Sequence, residues 1–151
     1  MRGYTPVGYY KDPEKSAKTF LFIDGDTYSV PGDYATVEAD GTLTLLGRGS
    51  VCINTGGEKV FPEEVEEAVK EVDGVIDCLV VGVPDERFGE AVTAVVACRG
   101  DASVSADDLT GALESLARYK RPRHFVFVPE IVRGPNGKAD YKWAKQRASQ
   151  V

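Results

Sequence analysis

The chain has 151 residues, enough for one ordinary domain and a remnant of another. Its 24 Asp and Glu outweigh 18 Lys and Arg for a formal net charge of −6, a balance that argues against nucleic acid or an anionic membrane surface as the main partner. A hydrophobic fraction of 42% supports a real core, while no apolar run is long enough to span a bilayer and Met1-Arg2-Gly3-Tyr4 has no apolar signal core.

Residues 1–20 are polar and turn-rich, with Asp12-Pro13 as a helix start. Residues 27–46 read as short strands broken at Pro31-Gly32-Asp33 and Ala39-Asp40-Gly41, with Thr42–Leu46 the clearest strand. This front third is read as poor in large apolar residues and unable to form a core alone. Pro62 opens a helix with Val65, Ala68, Val69 and Val72 at helical spacing, and Glu63 and Glu64 in its first turn complement the helix dipole. Val75–Val83 and Ala91–Cys98 are nearly continuous apolar runs, as expected for strands covered on both faces. Ser105 caps a further helix, with Asp108 as its capping-box partner and Leu109, Ala112, Leu113, Leu116 and Ala117 as its apolar stripe. Arg118 and Lys120 are placed to complement its C-terminal end. Phe125–Val128 reads as a third strand and residues 139–149 as a last helix. The expected fold class is α+β: a mixed three-stranded sheet flanked by helices, beginning near residue 50, preceded by a β-rich segment.

Cys52, Cys78 and Cys98 are odd in number and too scattered for a metal knuckle. Cys78 and Cys98 lie in apolar runs and read as buried thiols, which fits a reducing cytoplasm. No Ser/His/Asp arrangement, zinc spacing or paired-carboxylate site stands out, so no metal ligands are assigned. His124, the only histidine, opens an apolar strand and reads as a packing or edge residue rather than a catalytic one.

Several polar positions invite attention, although each also has an ordinary local reading. Lys138 follows Gly137 in a loop just before a helix, where a lysine is a mobile point charge. Asp33 follows Gly32 as in many turns. Gly47-Arg48-Gly49-Ser50 is a tight link between strands, and Thr55-Gly56-Gly57-Glu58 is a hairpin turn. Tyr119-Lys120-Arg121-Pro122-Arg123 is a basic cluster beside a helix end.

Taken together, these segments resemble the carboxy-terminal part of AMP-forming acyl-CoA synthetases, in the adenylate-forming enzyme superfamily. The resemblance rests on Gly8–Pro13 with Thr19-Phe20, on Tyr28–Asp33, Gly47–Ser50, Thr55–Glu66 and Tyr119–Pro122, and on Pro135-Asn136-Gly137-Lys138, all in the family's order. It implies residues 1–49 as the tail of a large AMP-binding domain and 50–151 as a mobile C-terminal domain. It implies Lys138 as the adenylation lysine, a cation that stabilises charge building on the α-phosphate of ATP. It implies Asp33 as acceptor for the ribose hydroxyls and Arg48 near the nucleotide. Ser50, with Gly49 supplying backbone freedom, becomes the hinge, and Gly56, Gly57 and Glu58 border the CoA tunnel.

Two departures stand out: Pro31 occupies a position usually held by Thr, and Ser50 one usually held by Asp or Lys. The resemblance further implies ATP or AMP with Mg2+, CoA and a carboxylic acid as substrates of a full enzyme. The large N-terminal domain would be the partner, and the phosphate loop, acyl pocket and adenine motif would all lie upstream of the segments seen here. The isolated chain is then expected to be inactive. The alternatives are an adenylation domain or luciferase-like member of the same superfamily, and a non-catalytic assembly module, for instance a strand-swapped homodimer.

Overall fold

The computed structural model describes residues 4–150, so the reading of Met1-Arg2-Gly3 lies outside the described residues. The chain divides into two compact units, Met1–Ser50 and Val51–Val151.

The first unit is one short helix and two hairpins. Helix α1 (Pro13–Thr19) starts where Asp12 accepts a hydrogen bond from Lys15 N and Pro13 presets the first turn. Strands β1 (Phe20–Ile23) and β2 (Asp26–Ser29) pair antiparallel around Asp24-Gly25, whose φ values of 51° and 86° suit a tight primed turn. Strand β1 was not anticipated, because its Phe-Leu-Phe-Ile run follows the helix without a break. Strands β3 (Asp33–Val37) and β4 (Leu43–Arg48) form the second hairpin, with an irregularity between Tyr34 and Ala35. The reading of this segment as poor in apolar residues needs correction. Leu21, Phe22, Ile23, Val37, Leu43 and Leu45 are all present but exposed. Among the described residues the unit has no second layer, since each of its two sheets has only two strands.

The second unit has two cores on the two faces of one sheet. After a 3-10 turn at Gly49–Val51, strands β5 (Ile53–Thr55) and β6 (Glu58–Val60) form a hairpin, and Pro62 opens helix α2 (Pro62–Lys70). Long strands β7 (Val75–Asp85) and β8 (Gly89–Cys98) pair antiparallel, and β9 (His124–Val128) runs parallel to β8. These three strands are the expected mixed sheet, and the β5–β6 hairpin extends it through Thr55 opposite Gly89. The strand period of two assigns the side chains. Cys78, Val80, Val92, Ala94 and Val96 point to a core shared with Val65 and Val69 of α2. Leu79, Val81 and Val95 point to the opposite core, closed by Ala144 and Ala148 of helix α4 (Tyr141–Ala148). Cover on both faces explains why β7 and β8 read as unbroken apolar runs.

Helix α3 (Ala106–Ala112) has the anticipated Ser105–Asp108 capping box but is shorter than its stripe suggested. Gly111 lies in its last turn, and Leu113 leaves helical geometry. Leu109 and Leu113 are buried and Leu116 packs on the same core, whereas Ala112 and Ala117 are exposed. Arg118 and Lys120 therefore do not cap this helix. Instead Arg121 donates to the carbonyls of Leu116 and Glu114, and Lys120 Nζ reaches both carboxylate oxygens of Glu64 at 2.7 Å. Cys78 is buried as expected, but Cys98, at the end of β8, is only partly so. No helix among the described residues is long and apolar enough to cross a membrane.

Candidate functional site

Lys138 sits on a short loop between β9 and α4 that is closed upon itself. Gly134 N donates to Lys138 O at 2.8 Å and Gly137 N to Gly134 O at 2.9 Å. Arg133 and Ala139 form an isolated β-bridge, and Lys138 N donates to Asn136 Oδ1. Gly137 has φ 73°, a conformation that favours glycine, so the residue before the lysine is set by backbone sterics. Lys138 itself is exposed, and among the described residues no hydrogen bond or ion pair engages its ammonium.

The loop is tied to the sheet by groups that the sequence reading passed over. Arg133 donates through Nε and Nη2 to the two carboxylate oxygens of Asp77, each at 2.8 Å, and through Nη1 to Gly137 O at 3.3 Å. Burial pushes the Asp77 carboxyl upward, but the Arg133 guanidinium and the Cys78 N–H outweigh it and leave the group below its usual value. On the other side of the loop Tyr141 donates to Glu66 at 3.4 Å. Glu66 is only 6% exposed and also accepts from Val80 N at 2.9 Å. Its desolvation raises its pKa to about 7, against the lowering effect of those two donors.

Asp77 and Glu66 thus take two alternate N–H groups, of Cys78 and Val80, on β7, a terminal strand of the sheet. Unpaired amides on such a strand need partners. The sequence held a faint signal for Glu66: it lies between Val65 and Val69 on the apolar side of α2. Nothing local distinguishes Arg133 or Asp77, which are 56 residues apart.

The remaining candidate positions fall in three places. Asp33 and Arg48 are direct partners in the β3–β4 register, with Arg48 Nε 3.3 Å from Asp33 Oδ1, so the hairpin brings these two together. Ser50 is exposed within the 3-10 turn. Gly49 is not in the left-handed region; a Cβ there would lie 2.5 Å from the ring of Tyr34. Close packing, rather than unusual backbone torsions, is what demands glycine at this position.

Gly56 and Gly57, at φ 60° and 89°, form the two-residue turn between β5 and β6. Gly56 N donates to Phe88 O at 2.8 Å. Beside them opens a cleft of about 350 Å³ lined by Glu58, Phe88, Arg118, Tyr119 and Arg123, among others. The Arg123 guanidinium stacks over the Phe88 ring at 3.9 Å from its centroid. The cleft is cationic and aromatic, a combination suited to a phosphorylated ligand with a planar group. Of the basic residues after α3, Lys120 serves the fold, Arg118 and Arg123 face this cleft, and Arg121 does both, lining the cleft while it donates to the Leu116 and Glu114 carbonyls.

Residues 64–138 match the family described as AMP-binding enzyme C-terminal domain. The chain is 60% identical over 146 residues to a 3-oxocholest-4-en-26-oate–CoA ligase of Rhodococcus rhodochrous, covering 96% of the chain and 26% of that enzyme. It is 57% identical over 147 residues to a medium/long-chain-fatty-acid–CoA/3-oxocholest-4-en-26-oate–CoA ligase of Mycobacterium marinum, covering 97% and 27% respectively. Among solved structures, ATP-bound MatB from Rhodopseudomonas palustris superposes with a TM-score of 0.78 at 32% identity, over 92% of the chain and 27% of MatB. The chain thus spans about a quarter of the length of the curated relatives it matches. With this sheet, these helices and a match that runs up to Lys138, the chain carries a C-terminal domain of the AMP-binding enzyme family, of the form found in AMP-forming acyl-CoA ligases.

Proposed function

We propose that this chain is the C-terminal portion of an ATP-dependent, AMP-forming acyl-CoA synthetase and supplies the lysine for its first half-reaction. The observation that carries the reading is Lys138: exposed, at the tip of a braced loop, with its ammonium uncommitted among the described residues. In the full enzyme a carboxylate attacks the α-phosphate of ATP and pyrophosphate leaves. Lys138 then stabilises the charge gathering on the phosphoryl oxygens. Asp33 accepts from the ribose hydroxyls while Arg48 approaches the nucleotide. Their pairing at 3.3 Å holds both in one place, and both side chains keep substantial exposure to solvent.

After adenylation the domain turns about Ser50 and Gly49, Lys138 withdraws, and the Gly56-Gly57-Glu58 turn borders the entry of CoA. The aromatic, arginine-lined cleft beside that turn supports CoA rather than a bare amine as acceptor. Mg2+ accompanies ATP as part of the substrate. The partner is the large domain that the relatives carry over the remaining three quarters of their length. The carboxylate is that of a fatty acid or of a sterol side chain, as the names of the relatives suggest, and the cytoplasm is the compartment that ATP and CoA require. An adenylation domain or a luciferase-like oxidase would instead show a different acceptor preference.

ATP–pyrophosphate exchange tests the reading. The chain alone shows no exchange, because it lacks the phosphate loop and acyl pocket that the reading assigns to the large domain. With the large domain joined upstream, Lys138→Ala abolishes exchange while sparing thioester formation from supplied acyl adenylate. Equal loss of both half-reactions would remove the role from Lys138.

A further inference from the structure

We propose that Asp77 and Arg133 form a brace that fixes where Lys138 points, which makes Arg133 a positioning residue for adenylation; the inference rests on the role given to Lys138 above. One guanidinium joins two parts of the domain. Two of its N–H groups hold the carboxylate of Asp77 on β7, and a third holds the carbonyl of Gly137, the residue before the lysine. The planar fork of arginine serves both directions at once, which a lysine ammonium on a flexible stem does not reproduce.

Asp77 is itself constrained. The β7–β8 register shifts between Val75 and Asp77, and its carboxylate also accepts from Cys78 N. Such an irregularity re-aims a side chain out of the regular ladder. The Asp77 side chain is 19% exposed and that of Arg133 38%, so the pair is less open than ordinary surface pairs such as Glu14–Lys18 at 81% and 74%.

At its two ends the loop is anchored by Ile131 and Ala139, which pack against the second core. Its internal hydrogen bonds, Gly134 N to Lys138 O and Gly137 N to Gly134 O, define its shape but not its attitude to the sheet. The Arg133 side chain supplies that attitude on one flank, and the Tyr141–Glu66 hydrogen bond supplies it on the other. A transition-state cation displaced by about 1 Å costs roughly 100-fold in rate, so a brace at this distance from Lys138 acts on the chemical step without touching substrate.

The experiment measures the two half-reactions separately in the full-length enzyme. Arg133→Ala lowers the kcat of ATP–pyrophosphate exchange about 10- to 100-fold. It leaves the KM for ATP within about threefold and thioester formation from supplied acyl adenylate within about twofold, since that step does not use Lys138. Arg133→Lys restores the charge but not the fork, and stays impaired. Asp77→Asn, which keeps size and shape, gives a loss in the same half-reaction and reads out the brace if Arg133→Ala fails to fold. Full exchange activity in Arg133→Ala or in Asp77→Asn, complete rescue by Arg133→Lys, or equal loss in both half-reactions overturns the brace. Lys138→Ala separates the two levels of the argument. If that variant keeps full exchange, the reading of Lys138 fails. If it is inactive while Arg133→Ala is fully active, only the brace fails.

Discussion

The two units of this chain use similar local chemistry and arrive at opposite states of burial. Both contain an aspartate- or serine-capped helix, tight glycine turns and strands rich in β-branched and aromatic residues. In the second unit, helices cover both faces of a continuous sheet, and every buried core residue from Ile53 to Ala148 belongs to it. In the first, every residue of β3 is exposed and Phe22 is 76% exposed. Secondary structure can therefore be well specified where a hydrophobic core is not. Layers, rather than strands, generate stability, because an apolar face contributes only when something covers it.

The largest test of this contrast is to separate the units. Residues 51–151 alone are expected to unfold in one cooperative thermal transition followed by circular dichroism, whereas residues 1–50 alone show none. Cooperative unfolding of the 1–50 fragment would break the comparison.

Matched side-chain truncations sharpen it. Leu79→Ala, at a fully buried position, should destabilise by about 2–5 kcal/mol in denaturant titration. Leu45→Ala, at a position 71% exposed, should change stability by less than about 0.5 kcal/mol.

A third test concerns the buried carboxylate for which the first unit has no counterpart among the described residues. The folded-state pKa of Glu66, about 7, is above its ordinary value of 4.5, so the folded protein holds the proton more tightly than the unfolded chain. The contribution of this group to stability is complete below pH 4.5 and is lost as pH rises through 7. Glu66→Gln keeps an acceptor for Val80 N and removes the charge. It should flatten that dependence and raise stability at pH 8 by about 1–3 kcal/mol. A variant with an unchanged pH–stability curve would show that Glu66 is not the group that titrates.

The smallest effect lies in the helix caps. Ser105→Ala should cost about 1 kcal/mol of unfolding free energy, because α3 packs Leu109 into the main core. Asp12→Ala removes an equivalent bond from α1 but should leave that transition almost unchanged.

Most local structural decisions were legible in the chain, the β1–β2 hairpin around Asp24-Gly25 being an exception. The Asp12-Pro13 and Ser105–Asp108 helix starts, the Gly56-Gly57 turn and the two apolar runs of β7 and β8 depend on neighbouring residues and on a period of two. The Lys138 loop was marked by Gly137, whose positive φ is a property of its own backbone. Two further features were not legible. Helix α3 stops at Ala112 although its apolar spacing continues, since Leu113 and Leu116 reach the core from a turn as well as from a helix. Gly49 is needed because the Tyr34 ring lies against it, a contact created by hairpin geometry.

Sequence alone thus determined most of the elements, most of the faces they turn inward and the exposed lysine. Tertiary structure decided which charges meet: Arg133 with Asp77, Lys120 with Glu64, and Glu66 with a strand amide. The physical reason is that an apolar pattern repeats along the chain and declares its period, whereas an ion pair between residues 56 positions apart has no period to read and exists only once the sheet has brought its partners together.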